Sequence, residues 1–258
     1  MAIPVLAIPV LNRGDLLLRC IRSIDYPVER LIIVNNGNDA GVMGVVRQIG
    51  EEKEFNLIVH KPAQNLGVAG SWNWVMQQDL AEYWLHVGND IQFTPGDLKL
   101  IDEGVRRHPE MVIRPANWGH SLFAIRPRCL ETAGYFDANF FPAYLEDCDH
   151  MRRINLLGLP WADIGKAADE TEQCQAVHGE APSWGSSTIY ADRKLREKNL
   201  KTHRNNFEYY KLKWGGPPGE EVFTVPFDNH SQSCVPNASA CWKPGPFWQE
   251  NRDIWSAE

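Results

Sequence analysis

Short apolar runs alternate with amphipathic segments in the first half of the chain, and this alternation limits the possible folds more than any other feature. The apolar runs of strand length are 5–11, 30–34, 55–60 and 83–87. The segments between them carry apolar residues at helical spacing, at 15–24, 42–53 and 70–80. Alternating strands and helices predict right-handed β-α-β units, so we expect an α/β fold with a mainly parallel sheet flanked by helices.

The second half of the sequence is less regular. We expect a strand at 122–126, helices at 127–133, 144–157 and 190–213, and a loop-like stretch at 169–187. Glycine and proline become dense from Trp214 onward. Because about 40 residues rarely build a core of their own, the sequence predicts one domain at 1–190 and a helical and irregular C-terminal extension at 191–258 that packs on it.

Length and composition fit a globular chain and exclude several classes of protein. The chain has 258 residues, 43% of them hydrophobic, and a formal net charge of −7. That acidity argues against a general nucleic-acid coat, and no run approaches the roughly 18 apolar residues of a transmembrane segment. The apolar start, with Pro4 and Pro9, predicts a buried strand and not a signal peptide. Scattered cysteines without a CxxC pair favour free thiols in a reducing, cytoplasmic compartment over a disulfide framework or a zinc site.

The residues that follow each predicted strand are candidates for a site, because ligands of parallel sheets bind beyond the carboxyl ends of the strands. Gly88, Asn89 and Asp90 follow the strand at 83–87. A carboxylate there, beside a glycine that allows close approach, suits Mg²⁺ or Mn²⁺. A simple turn is the alternative interpretation, since Asn-Asp is common in turns. A lone histidine is more often structural, yet His178 is a candidate second ligand.

Three carboxylates crowd the start of the helix predicted at 144–157: Glu146, Asp147 and Asp149. Capping and complementarity to the helix dipole are the simple explanation. Three are more than a cap needs, and like charges at that spacing raise one another's pKa, which is how a carboxylate becomes a general base near neutral pH. The segment is therefore a candidate catalytic site.

Several segments, taken in order along the chain, resemble glycosyltransferase family 2. They are IPVLNRGDLLLRCIRSI, RLIIVNNGND, NLGVAGSWNWVM, YWLHVGNDIQFTPGDLKLI, FAIRPRCLETAGYFDANFFPAYLEDCDHMRRINLLGLP and VHGEAPSWGSST. The resemblance covers about residues 3–190. It implies a GT-A fold, with a Rossmann-like mixed sheet, a nucleotide-binding half at about 1–92 and an acceptor half at about 93–190.

The same resemblance implies the inverting, metal-assisted transfer of a hexosyl or deoxyhexosyl group from a nucleoside-diphosphate sugar to an acceptor hydroxyl. Asp147 would be the general base, with Glu146 close by in contact with acceptor or sugar. Asp90 and His178 would hold a divalent cation, Mn²⁺ or Mg²⁺, on the diphosphate. The implied donor and nucleotide contacts are Pro9, Asn12, Arg13, Asn36, Asp39, Asn65, Gly67 and Asn89. The implied acceptor-side residues are Trp118, Tyr144 and Trp184.

The sequence departs from the family pattern at two places. Asn35 and Asn36 stand in the second-strand loop where the family usually has a carboxylate for the nucleotide base. Gly88 stands at the first position of the DxD-type metal motif, which leaves Asp90 as its charged ligand. A UDP-sugar is the favoured donor, and dTDP or GDP are possible alternatives. The acceptor stays open among a glycan, a lipid-linked molecule, a protein and a nucleic acid.

Two other functions remain open from the sequence. A nucleotide-sugar-binding protein without catalysis would account for Gly88 and the neutral Asn35-Asn36 pair, although the intact acidic residues argue against it. A glycosyltransferase that acts on nucleic acid would use the basic residues within 193–204, interleaved with Phe207, Tyr209 and Tyr210. A solvated basic helix face is the simpler explanation of that stretch.

Overall fold

The computed structural model describes residues 1–52, 55–78, 80–110, 112–114, 119–163, 177–178, 189, 192–230 and 245–256. The strands are β1 Val5–Val10, β2 Leu31–Asn35, β3 Leu57–His60, β4 Trp84–Val87, β5 Ile91–Gln92, β6 Val112–Arg114, β7 Leu122–Ile125, β8 Trp161–Asp163 and β9 Val177–His178. The α-helices are α1 Gly14–Arg22, α2 Ala40–Glu52, α3 Gly67–Gln78, α4 Asp97–Arg107, α5 Pro127–Ala133, α6 Glu146–Leu156, α7 Arg193–Trp214 and α8 Trp248–Ser256. Short 3₁₀ helices occur at Gly119–Ser121 and Pro226–Asp228.

The contacts group the chain into two compact units. Unit 1 consists of Met1–Asn65, Val75–Pro127 and Pro160–Ala191, and unit 2 of Leu66–Trp74, Arg128–Leu159 and Asp192–Glu258. The C-terminal extension therefore shares unit 2 with Arg128–Leu159. The boundaries predicted from the sequence, which follow chain order, stay a prediction.

Unit 1 is built on a seven-stranded sheet with the order β3-β2-β1-β4-β7-β6-β8. Strands β3, β2, β1 and β4 are parallel neighbours, β7 is antiparallel to both β4 and β6, and β8 is parallel to β6. Every residue of β2 is buried, as expected of a strand covered on both faces. Helix α1 adds Leu17, Cys20 and Ile21 to the same core. The predicted α/β fold with a mainly parallel sheet is confirmed.

Unit 2 has an aromatic core formed largely by α7. Phe140, Tyr209, Tyr210 and Trp214 are buried together with Leu145. Asp192 caps α7 by accepting a hydrogen bond from the Leu195 amide at 3.1 Å, and Gly215 ends the helix in the left-handed conformation that glycine adopts without strain. The core of unit 2 thus depends on side chains from the extension.

The strands and helices predicted in the first half are confirmed to within three residues at each end. Helices α4 and α8 and strands β5, β6 and β8 were not predicted. The loop prediction for 169–187 is wrong at Val177–His178, which form β9, and its other residues lie outside the described part. Among the described residues Cys20, Cys129 and Cys148 are free thiols, as the sequence predicts. Within that same part of the chain, no helix is both long and apolar enough to cross a membrane.

Candidate functional site

The turn after β4 holds the candidate metal ligand in a confined geometry. The Gly88 amide donates to the Ser121 carbonyl at 2.7 Å, and the Ile91 amide closes the turn on the Gly88 carbonyl at 3.1 Å. Asp90 is only 6% exposed. A Cβ atom on residue 88 would lie 2.9 Å from Oδ1 of Asp90, so glycine at this position leaves room for the carboxylate. This close approach is a physical reason for the departure from the family motif.

Strand pairing brings the two predicted metal ligands together at the level of the backbone. β5 and β9 are antiparallel, and Ile91, the residue after Asp90, pairs with His178. The side chain of His178 lies outside the described residues. Within the described part of the chain, no group of three or more His, Cys, Asp or Glu side chains forms a metal site. Mg²⁺-type ions commonly bind through one or two carboxylates plus substrate phosphates and water, so a single Asp90 fits an ion that a diphosphate completes.

The loop after β1 is tied to the loop after β4 by predicted donor-binding residues. Nδ2 of Asn89 donates to the Asn12 carbonyl at 3.3 Å. Oδ1 of Asn12 is buried and accepts no hydrogen bond from the described residues. A buried acceptor without a partner costs free energy, and an N–H group of a ligand would relieve that cost. Arg13 has a left-handed backbone with φ of 62°, and its guanidinium is paired with Asp15 at 2.7 Å.

The loop after β2 distinguishes the two asparagines that the sequence could not separate. Asn35 is fully buried, and its side chain binds the backbone amide and carbonyl of Asp39 at 3.2 and 3.3 Å. A Cβ on Gly37 would lie 1.8 Å from the Leu11 carbonyl oxygen, so only glycine fits there. Asn36 is half-buried and is therefore the asparagine presented at the end of the strand.

Four of the other residues predicted to contact the donor have identifiable structural positions. Oδ1 of Asp39 accepts from the Val42 amide at 2.8 Å and so caps α2. Pro9 is half-buried in β1 and pairs with Val34 in β2, and Asn65 is half-buried in unit 1. Gly67 begins α3 with φ of 71°, where a Cβ would lie 2.7 Å from the Pro142 carbonyl oxygen. Their contacts with a donor stay predictions.

The acidic pair of unit 2, which consists of Glu146 and Asp147, begins α6 directly after a left-handed turn. Tyr144 and Leu145 have φ of 77° and 74°. Glu146 is 5% exposed, and its Oε2 has no hydrogen-bond partner among the described residues. Burial, and next the charge of Asp147, raises the pKa of Glu146 well above its usual value. The sequence anticipated the repulsion between the carboxylates but not the larger effect, which is burial.

The raised pKa of Glu146 predicts a specific dependence of stability on pH. The folded chain keeps a proton that the unfolded chain releases above about pH 4.5, so the free energy of unfolding falls as the pH rises through this window. Glu146→Gln removes that fall. We expect the melting temperature of the variant minus that of the native chain to increase from about pH 5 to about pH 8. Each kcal/mol of unfolding free energy that the native chain loses corresponds to about 2–4 °C of this difference. Glu208→Gln, at an exposed position, is the control, and parallel profiles for native chain and Glu146→Gln would refute the prediction.

The other two carboxylates of the acidic segment have different surroundings. Asp147 is half-buried, and its Oδ1 accepts from the Cys148 amide at 2.8 Å, so it also serves the first turn of the helix. Asp149 is fully buried between Lys213 at 2.6 Å and Arg153 at 3.0 Å. Burial alone would raise the pKa of Asp149, but these two cations lower it. Asp149 is therefore held in a buried cluster of charges, whereas Asp147 is half-buried, and its role as general base stays a prediction.

The acceptor-side predictions are only partly within the described residues. The ring of Tyr144 is half-buried and meets His203 of α7 edge-on, with ring centroids 5.4 Å apart. Trp118 and Trp184 lie outside the described residues. The sequence analysis missed Asn206 and Asn251, whose side chains bind the turn before Glu146. For Asn206, the signal in the sequence is the Asn205-Asn206 pair inside a predicted helix. Asparagine is a poor helix former, and in such a place it usually has a specific partner.

Comparison with known proteins assigns the part of the chain that contains β1 to β4. Residues 5–122 match the sequence model of the family described as Glycosyl transferase family 2. This part of the chain belongs to glycosyl transferase family 2. The resemblance drawn from the motifs is thereby confirmed, and Asn12, Asn36 and Asp90 all lie within the family 2 segment. The comparison with curated proteins finds no match for the sequence.

Solved structures share the fold of this chain at low sequence identity. S. aureus TarS 1-349 in complex with UDP-GlcNAc has a TM-score of 0.57 and 15% identity, over 81% of this chain and 66% of that one. The mannosyltransferase PcManGT from Pyrobaculum calidifontis, in complex with GDP-Man and Mn²⁺, has a TM-score of 0.54 and 16% identity, over 77% of this chain and 62% of that one. A further structure of S. aureus TarS 1-349 has a TM-score of 0.50 and 17% identity, over 60% of this chain. The chain spans 56% of that structure and 62% of PcManGT, which is less than two thirds of either. The predicted GT-A fold is confirmed.

Proposed function

We propose that this chain transfers a sugar from a nucleoside-diphosphate sugar to an acceptor hydroxyl group, with inversion at the anomeric carbon. The observation that carries the proposal is the pair of carboxyl groups at the start of α6, in a chain whose first half belongs to glycosyl transferase family 2. One of the two is a buried acid with a raised pKa and the other a half-buried carboxylate. An acid beside a base is the arrangement that proton transfer to and from hydroxyl groups needs.

Asp147 has the role of general base in this proposal. The acceptor oxygen forms a bond to the anomeric carbon while the proton of the hydroxyl moves to the Asp147 carboxylate. The bond between the anomeric carbon and the diphosphate oxygen breaks, and its electron pair leaves with the nucleoside diphosphate. A single displacement of this kind inverts the configuration. Glu146, which retains its proton to a higher pH, donates a hydrogen bond to an oxygen of the sugar or acceptor.

The donor and the cation are proposed from the end of the sheet in unit 1. Asn12 offers a buried oxygen without a partner among the described residues, and Asn36 is half-buried after β2. Asp90, with His178, would hold Mn²⁺ or Mg²⁺, and the bound ion would neutralise negative charge on the leaving diphosphate. Solved structures with the same fold contain UDP-GlcNAc and GDP-Man with Mn²⁺. A hexosyl donor carried by UDP is the first choice, and GDP and dTDP donors follow.

Turnover with a panel of donors tests the function. The full chain is incubated with UDP-, GDP- and dTDP-hexoses, with and without Mn²⁺, and release of the nucleoside diphosphate is measured in the presence of simple glycan acceptors. We expect release with one nucleotide in preference to the others. Nucleotide binding measured by calorimetry, together with no release from any donor, would instead support a binding protein without catalysis.

The contribution of Asp90 to cation binding gives a further prediction. UDP is titrated into the native chain and into Asp90→Asn, with and without Mn²⁺. We expect Mn²⁺ to lower the Kd of UDP for the native chain. The factor by which Mn²⁺ lowers this Kd is expected to be at least tenfold smaller for the variant, because an amide is a weaker ligand for a hard cation than a carboxylate. Glu51→Gln, on the exposed end of α2, is the control with the same loss of charge. An equal gain from Mn²⁺ in Asp90→Asn would contradict the assignment.

A further inference from the structure

The turn that precedes the acidic pair has an unfavourable backbone conformation at two consecutive residues. Tyr144 and Leu145 are both left-handed, with φ of 77° and 74°. For residues with a Cβ atom this conformation is sterically unfavourable. Such a conformation persists only where neighbouring groups hold it, and it is often found next to functional groups. Here Glu146 follows at once, so whatever holds the turn also sets the direction in which α6 begins.

Every backbone carbonyl of the turn from Phe141 to Leu145 accepts a hydrogen bond. Two of these bonds come from backbone amides: the Val68 amide, in the first turn of α3, donates to the Pro142 carbonyl at 2.7 Å, and the Asp149 amide, in α6, to the Leu145 carbonyl at 2.9 Å. The other three carbonyls, those of Phe141, Ala143 and Tyr144, are bound by side chains of the C-terminal extension.

Two asparagine side chains supply those three bonds. Nδ2 of Asn206, on α7, lies 2.9 Å from the Ala143 carbonyl oxygen and 3.4 Å from that of Tyr144. Nδ2 of Asn251, on α8, donates to the Phe141 carbonyl at 3.0 Å and to Oδ1 of Asn206 at 2.9 Å. Because Oδ1 of Asn206 accepts from Asn251, the amide of Asn206 is oriented with its N–H groups toward the turn.

The environment of Asn206 makes its hydrogen bonds costly to lose. Asn206 is 1% exposed and Asn251 is fully buried, so water does not replace a lost donor without a rearrangement. Leu145 places its side chain in the aromatic core with Phe140 and Tyr210, which anchors the other side of the turn. The bonds from Asn206 and the packing of Leu145 together define one backbone path into Glu146.

We propose that Asn206 is a positioning residue for the acidic pair: its side-chain amide holds the left-handed turn and thereby sets the orientation of Glu146 and Asp147. The C-terminal extension then contributes to the reaction through the backbone of the turn and without contact with the substrate. This inference rests on the proposed function for its kinetic consequence, whereas the geometric coupling between Asn206 and Glu146 can be measured without turnover.

The kinetic test compares two asparagines of α7. Asn206→Ala removes the donor to the turn, whereas Asn199→Ala, two turns earlier in the helix, removes an amide whose Oδ1 has no hydrogen-bond partner among the described residues. At a temperature where circular dichroism shows all variants folded, we expect Asn206→Ala to lower kcat by about 10–100-fold, with the donor Kd within twofold of the native value. Asn199→Ala keeps kcat within threefold. Asn206→Asp, which keeps the size but loses the donor, behaves like Asn206→Ala.

A measurement without substrate separates this inference from the proposed function. The pH-dependent difference in unfolding free energy caused by Glu146→Gln is measured twice. The first measurement uses the native chain as the reference, and the second uses the Asn206→Ala variant as the reference. We expect the difference to shrink by at least half in the second measurement, because a displaced turn exposes the carboxyl group. If the native chain releases no nucleotide from any donor, the proposed function fails while this coupling still tests the position of Glu146. An unchanged difference, or a kcat of Asn206→Ala equal to that of Asn199→Ala, would overturn the inference.

Discussion

Asp147→Asn is expected to lower the rate of sugar transfer by about 10²–10⁴-fold, the usual contribution of a general base. The substitution keeps the shape of the side chain and the oxygen that accepts from the Cys148 amide at 2.8 Å. It removes the group that takes the proton of the acceptor hydroxyl. The nucleotide Kd is expected to stay within a few-fold of the native value, since the base acts on the acceptor and not on the nucleotide. The measurement is initial-rate kinetics with the best donor of the panel, together with calorimetry of UDP binding.

The control for Asp147→Asn is another loss of a carboxylate in unit 2. Glu208→Gln lies on the exposed surface of α7, where its partner is Lys211 at 2.9 Å, and is expected to leave the rate unchanged. A rate of Asp147→Asn within threefold of the native chain would remove Asp147 from the role of base. Glu146→Gln is the informative companion, because a neutral amide still donates a hydrogen bond as the protonated acid does. Its rate is expected to exceed that of Asp147→Asn.

The first half of the fold could be predicted because each central strand is a continuous apolar run. A strand covered on both faces needs an apolar residue at nearly every position, and nearly all residues of β1 and β2 are buried. By contrast, β5 and β9 have two residues each, which is too short for any period to appear in the sequence. Their pairing, which brings residue 178 beside residue 91, depends on contacts between segments that are distant in the chain.

The candidate residues of each unit were predicted from the sequence, but their surroundings were not. Asp90, Glu146 and Asp147 follow from charge and spacing along the chain. The burial that raises the pKa of Glu146 and the asparagines that hold the turn come from tertiary packing, and Asn251 lies 110 residues from the carbonyl it binds. The same reason applies to Lys213, which is 1% exposed and pairs with Asp137 and Asp149.

Lys213→Met is expected to lower the free energy of unfolding by about 3–5 kcal/mol, because it leaves buried carboxylates without a counter-ion. Nζ of Lys213 lies 2.8 Å from Asp137 and 2.6 Å from Asp149, and both carboxylates are fully buried. Among the described residues, Arg153, 3.0 Å from Asp149, is then the cation that remains in this cluster, so one of the two negative charges is uncompensated. The measurement is urea unfolding of native chain and variant, where a lower midpoint at unchanged slope reports the loss of stability.

Two further variants make the result for Lys213→Met decisive. Lys211→Met, two residues away on α7, removes an exposed pair with Glu208 and is expected to cost no more than about 1 kcal/mol. Adding Asp137→Asn to Lys213→Met restores the balance of charge in the cluster. The oxygen of the new side chain still accepts from the Asn139 amide, which lies 2.9 Å from Oδ1 of Asp137, and its NH2 group donates to the hydroxyl of Tyr209, which lies 2.9 Å from Oδ2. The double variant is therefore expected to be more stable than Lys213→Met alone. Equal costs for Lys213→Met and Lys211→Met would mean that the buried charges do not hold α6 against α7.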